Sequence, residues 1–240
     1  MNNYKVTLSY DGSAYHGWAK QPNAITLQEV LEKALGSLLG EKVYISASGR
    51  TDAFVHAHNQ VFNFKTKKTL DTKFKKKINE QLGDDIYIKS IKKVDSTFHA
   101  RFSAKEKEYI YEICTNKKYQ YLNDYLLIYI KPLHMKKIKA AAKLLVGTHN
   151  FLSFSISEIQ DTVRTIKYIR FIRKPNFLII KVKGTGFLRG MVRMLVGTLL
   201  DYNENKKTLA DIKFLLENPK KGSSINKVRA GGLYLNKIKY

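Results

Sequence analysis

Residues 164–184 read RTIKYIRFIRKPNFLIIKVKG, and this stretch decides the fold class. It contains two runs rich in β-branched and aromatic residues, RTIKYIRFIR and FLIIKVKG, as strands are. The runs are joined through Lys174-Pro175-Asn176, a connection of turn-forming type. Strands joined by so short a turn run antiparallel, whereas parallel neighbours need a crossover of a dozen or more residues. The stretch therefore predicts a β-hairpin.

Similar strand-like runs occur along the whole chain. We predict strands at YKVTLSY, KVYISAS, QVFNFKT, IYIKSIKKV, KEYIYEIC, LLIYI and GLYLNKI. We predict helices at ITLQEVLEKALGSLLGE, residues 70–82, HMKKIKAAAKLLVG, FLRGMVRMLVGTLL and TLADIKFLLEN. Thr26 and Glu29 have the spacing of a capping box at the start of the first helix. Strands that mostly neighbour each other, with helices between or after them, favour an α+β fold with antiparallel sheet over a doubly wound parallel fold.

The two halves of the chain contain a similar mix of elements. VHAHNQVFNF and VGTHNFLSFS share a faint His-Asn-then-aromatic pattern, which favours a duplicated domain only slightly over chance. We place the boundary between ARFSA and KEKEY, which gives an N-terminal domain of residues 1–104 and a C-terminal domain of residues 105–240. No Pro/Gly-rich linker marks this junction, so we expect the halves to pack into one continuous body.

Charge and cysteine usage narrow the class of protein. The formal charge is +23, with 43 Lys and Arg against 20 Asp and Glu, and a potential of that sign attracts nucleic acid. A solvated, lysine-rich surface is the plainer alternative. Cys114 is the one cysteine, which excludes an internal disulfide and a CxxC zinc site. No apolar run approaches the roughly 20 residues of a membrane helix. We expect a soluble cytoplasmic protein.

The segment GRTDAFVHAHNQ, residues 49–60, contains the first candidate for chemistry. Gly49 permits a tight turn with Asp52 at its apex, and Arg50 is close enough in sequence to keep that carboxylate ionised. An ionised aspartate on a rigid turn could act as a nucleophile or general base. Taken on chemistry alone, an Asx-turn paired with an arginine is the commoner explanation.

His56 and His58 in the same segment raise the question of a metal site. Residues two apart in an extended segment point to one face, so two imidazoles could share a metal. Neither a cysteine nor a third histidine lies near, although Asp52 could contribute. We therefore predict no metal, and a hydrogen-bonded histidine that supports the turn.

Two further segments combine aromatic or glycine residues with cations. In FHARFSAKEKEYIYEI, Tyr109 and Tyr111 share a strand face, where they could stack on a base or be ordinary core-edge residues. In GTGFLRGMVRMLVG, a helix would place four residues within about a 100° arc. They are Arg189, Gly190, Arg193 and Gly197. Such glycines permit close approach of a backbone or a substrate beside a guanidinium, and a plain helix–sheet contact fits equally well.

GRTDAFVHAHNQV closely resembles the GRTDAGVHA-x-x-Q-V signature of the tRNA pseudouridine synthase A family. The family's other motifs follow in order across essentially the whole chain. They are YDGSAYHGWAKQP, TLQEVLEKAL, FHARFSAKEKEYIY, GTHNF, GTGFLRGMVRMLVG and GLYL. Each motif alone is modest support, and their ordered succession is strong.

The resemblance implies an isomerase that converts uridine to pseudouridine at positions 38, 39 and 40 of the tRNA anticodon stem-loop. It implies two RRM-like halves with antiparallel sheets, packed side by side around a central cleft, in a homodimer without cofactor or metal. By motif position the catalytic aspartate is Asp52, and its partner is Arg193 of MVR. Tyr109 contacts the target uridine, and Leu233 lies beneath the base. We also predict Arg50 as a substrate-binding residue, which could help Arg193 to keep Asp52 ionised.

Two positions depart from the family pattern. Phe54 replaces a glycine, and a positive φ there would strain a phenylalanine. VRAG precedes GLYL in place of an Ala-Pro-containing segment, which weakens the assignment of Leu233. The alternative function is a basic RNA-binding or ribosome-associated protein of the same fold without activity. Asp52 together with Arg193 favours the enzyme, because RNA binding alone has no use for an acid.

Overall fold

The computed structural model describes residues 1–240. Its strands are β1 (Asn2–Tyr10), β2 (Ile45–Ala47), β3 (His56–Thr66), β4 (Ile86–Val94), β5 (Glu106–Cys114), β6 (Leu127–Ile128), β7 (Gly147–Asn150), β8 (Val163–Lys174), β9 (Phe177–Gly184) and β10 (Leu233–Lys239). Its helices are α1 (Leu27–Leu39), α2 (Phe74–Gln81), α3 (Met135–Leu145), α4 (Met191–Asn203) and α5 (Leu209–Glu217), with 3-10 turns at Lys117–Leu122 and Leu152–Phe154.

The chain divides into two compact units. The first contains Met1–Lys105 and Tyr234–Tyr240, and the second contains Glu106–Leu233. The C-terminal strand therefore returns to the first unit, where Tyr234 and Leu235 pair in parallel with His56 and Ala57. The division into an N-terminal domain of residues 1–104 and a C-terminal domain of residues 105–240 stays a prediction.

In the first unit, β1 lies between β4 and β3, antiparallel to both, and β2 pairs with the far end of β3. Alternate residues of these strands form the core, as the two-residue period of a strand requires. Fully buried members of this core include Leu8, Phe62 and Phe64. The apolar stripe of α1, with Leu27, Leu31 and Leu35 buried, belongs to the same core.

One irregularity in this sheet changes which way β3 side chains point. Leu8 pairs with Gln60, but Tyr10 pairs with Ala57, so β3 has one more residue than β1 between these two pairs. Such a bulge turns the residues beyond it relative to the regular alternation. His56 and His58 stand at this end of β3, next to the turn that carries Asp52.

In the second unit, the sheet order is β5-β9-β8-β7, all antiparallel, with β6 added to β5 in parallel. The predicted hairpin is the β8–β9 pair: Lys174 faces Phe177 across the turn, and Asn176 takes a φ of 62°. Helix α4 is almost entirely buried, and it packs with α3. The prediction of an α+β fold with antiparallel sheets is confirmed.

Several predicted element boundaries were wrong. The helix expected at 70–82 begins at Phe74, and the strand expected at LLIYI is reduced to Leu127–Ile128. Helix α4 begins at Met191, because Gly190 adopts a left-handed φ of 74° that ends any continuous helix. Arg189 and Gly190 therefore precede the helix, and the predicted arc of four residues retains only Arg193 and Gly197.

The capping box predicted at Thr26 was also wrong. Thr26 occupies the N-cap position of α1, but its side chain makes no capping hydrogen bond and its buried hydroxyl has no hydrogen-bond partner. A complete capping box is present instead at α5. There the Thr208 Oγ1 accepts from the Asp211 N–H at 3.1 Å, and the Thr208 N–H donates to the Asp211 carboxylate at 2.7 Å.

Every helix of the protein is too short or too polar to span a membrane.

The two threonines allow a matched prediction. Thr208→Val removes a working cap and should lower the free energy of unfolding by about 1 kcal/mol. Thr26→Val replaces an unpaired buried hydroxyl with a methyl group and should leave that free energy unchanged or raised. Urea unfolding of both variants measures the difference. Equal losses from the two substitutions would contradict the assignment of the caps.

Candidate active site

Asp52 lies in the turn between β2 and β3, and the backbone on its N-terminal side is fixed by buried contacts. The Trp18 N–H donates to the Thr51 carbonyl at 3.1 Å. The hydroxyls of Thr51 and Tyr10 are 2.8 Å apart, and both residues are buried. Gln60 closes the start of the turn, since its amide donates to the Gly49 carbonyl at 3.0 Å. This side of the turn therefore has little freedom to move.

The C-terminal side of Asp52 is held in the same way. The Phe54 N–H donates to the Tyr15 carbonyl at 3.1 Å, and the Val55 N–H returns to the Asp52 carbonyl at 3.3 Å. Residues 11–18, which we call the clamp loop, thus bond the turn on both flanks of Asp52. The Asp52 side chain itself is partly exposed. An acidic residue on a fixed stretch of backbone, and not fully buried, suits a role in chemistry.

Two glycines allow the clamp loop to approach the turn closely. A Cβ on Gly12 would lie 2.1 Å from the Val55 carbonyl oxygen, a distance that no side chain tolerates. A Cβ on Gly17 would lie 2.9 Å from the Thr51 carbonyl oxygen, and Gly17 also has a φ of 95°. These two positions of YDGSAYHGW therefore need glycine for contact with the turn.

Phe54 adopts the left-handed conformation, with a φ of 63°. The turn keeps the geometry that a glycine would favour, and the phenylalanine bears the strain, which is about 1–2 kcal/mol for a residue with a Cβ. Its ring is 47% exposed and lies 5.9 Å from the ring of His16. The fixed hydrogen bonds of the clamp loop explain why the backbone does not relax.

His56 and His58 stack on an aromatic ring from β10. Their ring centroids lie 4.7 and 4.9 Å from that of Tyr234. The Gly12 N–H donates to the Nδ1 of the buried His56 at 3.0 Å, and the Asp11 carboxylate lies 3.1 Å from the same nitrogen. One nitrogen cannot accept from Gly12 and donate to Asp11 at once, so the proton on His56 decides which contact forms.

The surroundings of His58 disfavour its charged form. Burial lowers the pKa of His58 from its ordinary value, and the nearby Lys89 and His56 lower it further. The Lys89 ammonium is fixed close by, since it donates to the His58 carbonyl at 2.6 Å. No group of three or more His, Cys, Asp or Glu side chains is arranged to hold a metal ion. Through their stacking on Tyr234, His56 and His58 connect the Asp52 turn to the C-terminal strand β10.

The remaining residue predicted in the first unit is Arg50, which is exposed. Tyr109, Arg193 and Leu233 lie in the second unit. Tyr109 is buried in β5, with its ring edge-on to Phe187 at a centroid distance of 5.2 Å. Its neighbour Tyr111 donates from its hydroxyl to the Arg229 carbonyl at 2.8 Å. Burial raises the pKa of Tyr111 well above its ordinary value, although Arg193 and Arg229 oppose that rise.

Arg193 stands in the first turn of α4 and is fixed by the segment that follows α5. Its Nε donates to the Val228 carbonyl at 2.7 Å. The segment approaches α4 at Gly197, where a Cβ would lie 2.1 Å from the Asn226 carbonyl oxygen. The glycine beside the arginine therefore admits another backbone, one of the two interpretations that the sequence left open.

Leu233 closes this segment at the start of β10. It is buried, and its N–H donates to the Ala230 carbonyl at 2.8 Å. Gly231 and Gly232 precede it in close contact with other backbone. A Cβ on Gly231 would lie 2.3 Å from the Asp124 carbonyl oxygen, and one on Gly232 would lie 2.8 Å from that of Glu112. Gly231 of the VRAG segment therefore needs to be glycine, because the backbone of Asp124 lies too close for a side chain.

The fold and these two sets of residues define a basic α+β protein with an acid on a rigid turn. The chain matches the tRNA pseudouridine synthase family over residues 7–103 and 141–240. It belongs to that family. Tyr109 falls outside the two matched segments, whereas the other four predicted site residues fall inside them.

Full-length relatives agree with this assignment. The chain is 45% identical over 239 residues to a tRNA pseudouridine synthase A of Malacoplasma penetrans, covering 99% of each chain. It is 40% identical to the enzyme of that name from Mycoplasma genitalium, with 100% of this chain and 99% of the relative covered. It is 38% identical to that from Clostridium acetobutylicum, with both chains covered completely. The protein is accordingly an isomerase that converts uridine of tRNA to pseudouridine.

The strain at Phe54 leads to a prediction about stability. Phe54→Gly should unfold with a free energy about 1 kcal/mol higher than Phe54→Ala, because only glycine is relaxed at a φ of 63°. Both variants lose the ring and its contact with His16, so their difference isolates the backbone. Chemical denaturation of the pair measures it. A Phe54→Ala protein as stable as Phe54→Gly would show that the turn relaxes.

Proposed function

We propose that this isomerisation takes place at positions 38, 39 and 40 of the tRNA anticodon stem-loop, with Asp52 as the catalytic residue. The observation that carries the proposal is the turn of residues 49–55. Its backbone is hydrogen-bonded on both sides of Asp52, while the Asp52 residue remains partly exposed. Family membership and the relatives' shared name supply the reaction and the substrate class.

The reaction exchanges one bond to the sugar for another. The bond from C1′ to N1 of uracil breaks, the base rotates, and a bond from C1′ to C5 forms; C5 then loses its proton and N1 gains one. No electrons are transferred and no activated donor is consumed, so the residues need only bind, orient and move protons. Asp52 would either attack C1′ or remove the proton at C2′, and both alternatives need an ionised carboxylate at a fixed position.

We propose a role for each of the other predicted site residues. Arg193, fixed through its Nε to Val228, would supply the guanidinium that keeps the catalytic carboxylate ionised during desolvation. Tyr109 would stack on the uracil, and Leu233 would lie beneath it. The exposed Arg50 would contact RNA near the target base.

Charge would hold the RNA while the target base leaves its helix. Extrusion costs a few kcal/mol, which phosphate contacts can offset. An exposed lysine group between the end of β3 and α2 is suited to these contacts. Its members are Lys65, Lys67, Lys68, Lys73, Lys75, Lys76 and Lys77. We further propose that the enzyme acts as a cytoplasmic homodimer without cofactor or metal.

Tritium release from tRNA labelled with [5-³H]uridine tests the proposal, because C5 loses its hydrogen only when the new carbon–carbon bond forms. Asp52→Asn should reduce the rate by at least 10²- to 10⁴-fold, the usual contribution of a group acting in acid–base chemistry. The variant should still bind tRNA, because the lysine group is untouched. Mapping of pseudouridine in the product identifies the modified positions.

Asp84→Asn is the matched control, since Asp84 is an exposed acid of the same unit in the loop between α2 and β4. It should release tritium at the rate of the unmodified protein. Normal release from Asp52→Asn would overturn the catalytic assignment. Tight tRNA binding with no release from the unmodified protein would instead favour the inactive RNA-binding alternative.

A further inference from the structure

The turn of residues 98–103 displays an aromatic ring with a cation on it. Phe102 is 77% exposed, more than almost any other large apolar side chain in the protein. The His99 ring lies 4.5 Å from the Phe102 ring, and the Arg101 guanidinium carbon lies 5.6 Å from its centroid. We call His99, Arg101 and Phe102 the stacking cluster. The cluster thus exposes a large aromatic side chain beside a positive charge.

The backbone that carries the stacking cluster is anchored from below. Ala100, between the cluster residues, is fully buried. Its N–H donates to the Asn63 side-chain oxygen at 2.8 Å, and its carbonyl accepts from the Tyr240 hydroxyl at 3.0 Å. The Ser103 N–H donates to the His99 carbonyl at 2.9 Å. The exposed rings therefore stand on a fixed base, and ordering them on a partner would cost little entropy.

Cations continue along the neighbouring strands. The Lys5 ammonium lies 4.1 Å from the Tyr240 ring centroid and 5.5 Å from that of Phe98. Lys5 of β1 is directly opposite Lys92 of β4, a like-charge pair that opposes folding unless an anion lies near. Asp95, an acid shortly before this turn, is engaged by Thr97, whose N–H and hydroxyl both donate to its carboxylate. This surface thus combines exposed aromatic area with uncompensated positive charge.

That combination matches the chemistry of single-stranded nucleic acid. Bases stack on protein aromatics regardless of sequence, while arginine and lysine meet the phosphates between them. A protein partner would need acidic side chains placed against Lys5, Lys92 and Arg101, whereas RNA supplies negative charge at every residue. The +23 charge of the chain further favours RNA.

We infer that the stacking cluster is a second tRNA contact, separate from the residues proposed for chemistry. Phe102 stacks on an unpaired base of the tRNA, Arg101 lies over the same ring, and Lys5 and Lys92 meet the adjacent phosphates. This inference rests on the proposed function, because it takes the same tRNA as its ligand. Its consequence is affinity for tRNA, with no part in bond rearrangement.

The test measures tRNA dissociation constants for the full-length protein and three variants at one salt concentration. Phe102→Ala should weaken binding about 5- to 150-fold, the range for loss of one base-stacking aromatic. Phe102→Trp should bind as the unmodified protein does. Tyr44→Ala is the matched control, because Tyr44 is another exposed aromatic of this unit with a lysine over its ring, 5.3 Å away. It should leave affinity unchanged.

The outcomes separate the inference from the proposed function. Unchanged affinity in Phe102→Ala overturns the inference, even if pseudouridine forms normally. A change in sedimentation to a smaller species, with unchanged affinity per chain, also overturns it and assigns Phe102 to contact between protein copies. Weakened binding by Phe102→Ala supports the inference even if the unmodified protein releases no tritium, a result that removes the proposed function alone. Failure of the unmodified protein to bind tRNA overturns both.

Discussion

The close approach of two backbones, the clamp loop and the Asp52 turn, is the constraint on which the candidate site depends. Hydrogen bonds from Trp18 to Thr51 and from Phe54 to Tyr15 leave Asp52 between two fixed points. Gly12 and Gly17 are required for this contact, since a side chain on either would collide with the turn. The strain at Phe54 follows from the same contact, because the backbone cannot move to a conformation that a phenylalanine prefers.

Electrostatics gives the site its second requirement. RNA repels a carboxylate, so an acid that acts on RNA must be held in place by the protein and surrounded by cations that attract the phosphates. The exposed lysines around α2 and the cations of the stacking cluster meet this need on the first unit. The backbone that carries Asp52 is held by hydrogen bonds between uncharged amide groups, which salt weakens far less than it weakens contacts between exposed charges. Binding and chemistry thus depend on different interactions.

The sequence predicted those features that a local pattern of residues determines. The β8–β9 hairpin followed from alternating β-branched residues and the Pro175-Asn176 turn. The motif around Asp52 singled out the turn on which the proposed site is built. Features that depend on distant residues were not predictable. The contact of His56 and His58 with Tyr234 joins residues far apart in the chain, and the clamp loop meets the turn only after β1 and β3 pair. Even local spacing failed at Thr26, because its hydroxyl makes no hydrogen bond to the amides of α1, whereas the Thr208 hydroxyl accepts one from the first turn of α5.

The most direct test of this account compares Gly17→Ala with Gly40→Ala at saturating tRNA. Both glycines have a positive φ, 95° and 60°, so each variant places an alanine where the backbone favours glycine. Only at Gly17 does the added Cβ meet the Asp52 turn; at Gly40 its nearest neighbour is the flexible end of Lys68 at 3.7 Å. A displacement of about 1 Å can reduce a catalytic rate about 10²-fold. The account predicts a loss of that order in pseudouridine formation for Gly17→Ala, with tRNA affinity retained and Gly40→Ala fully active. Equal rates for the two variants would contradict it.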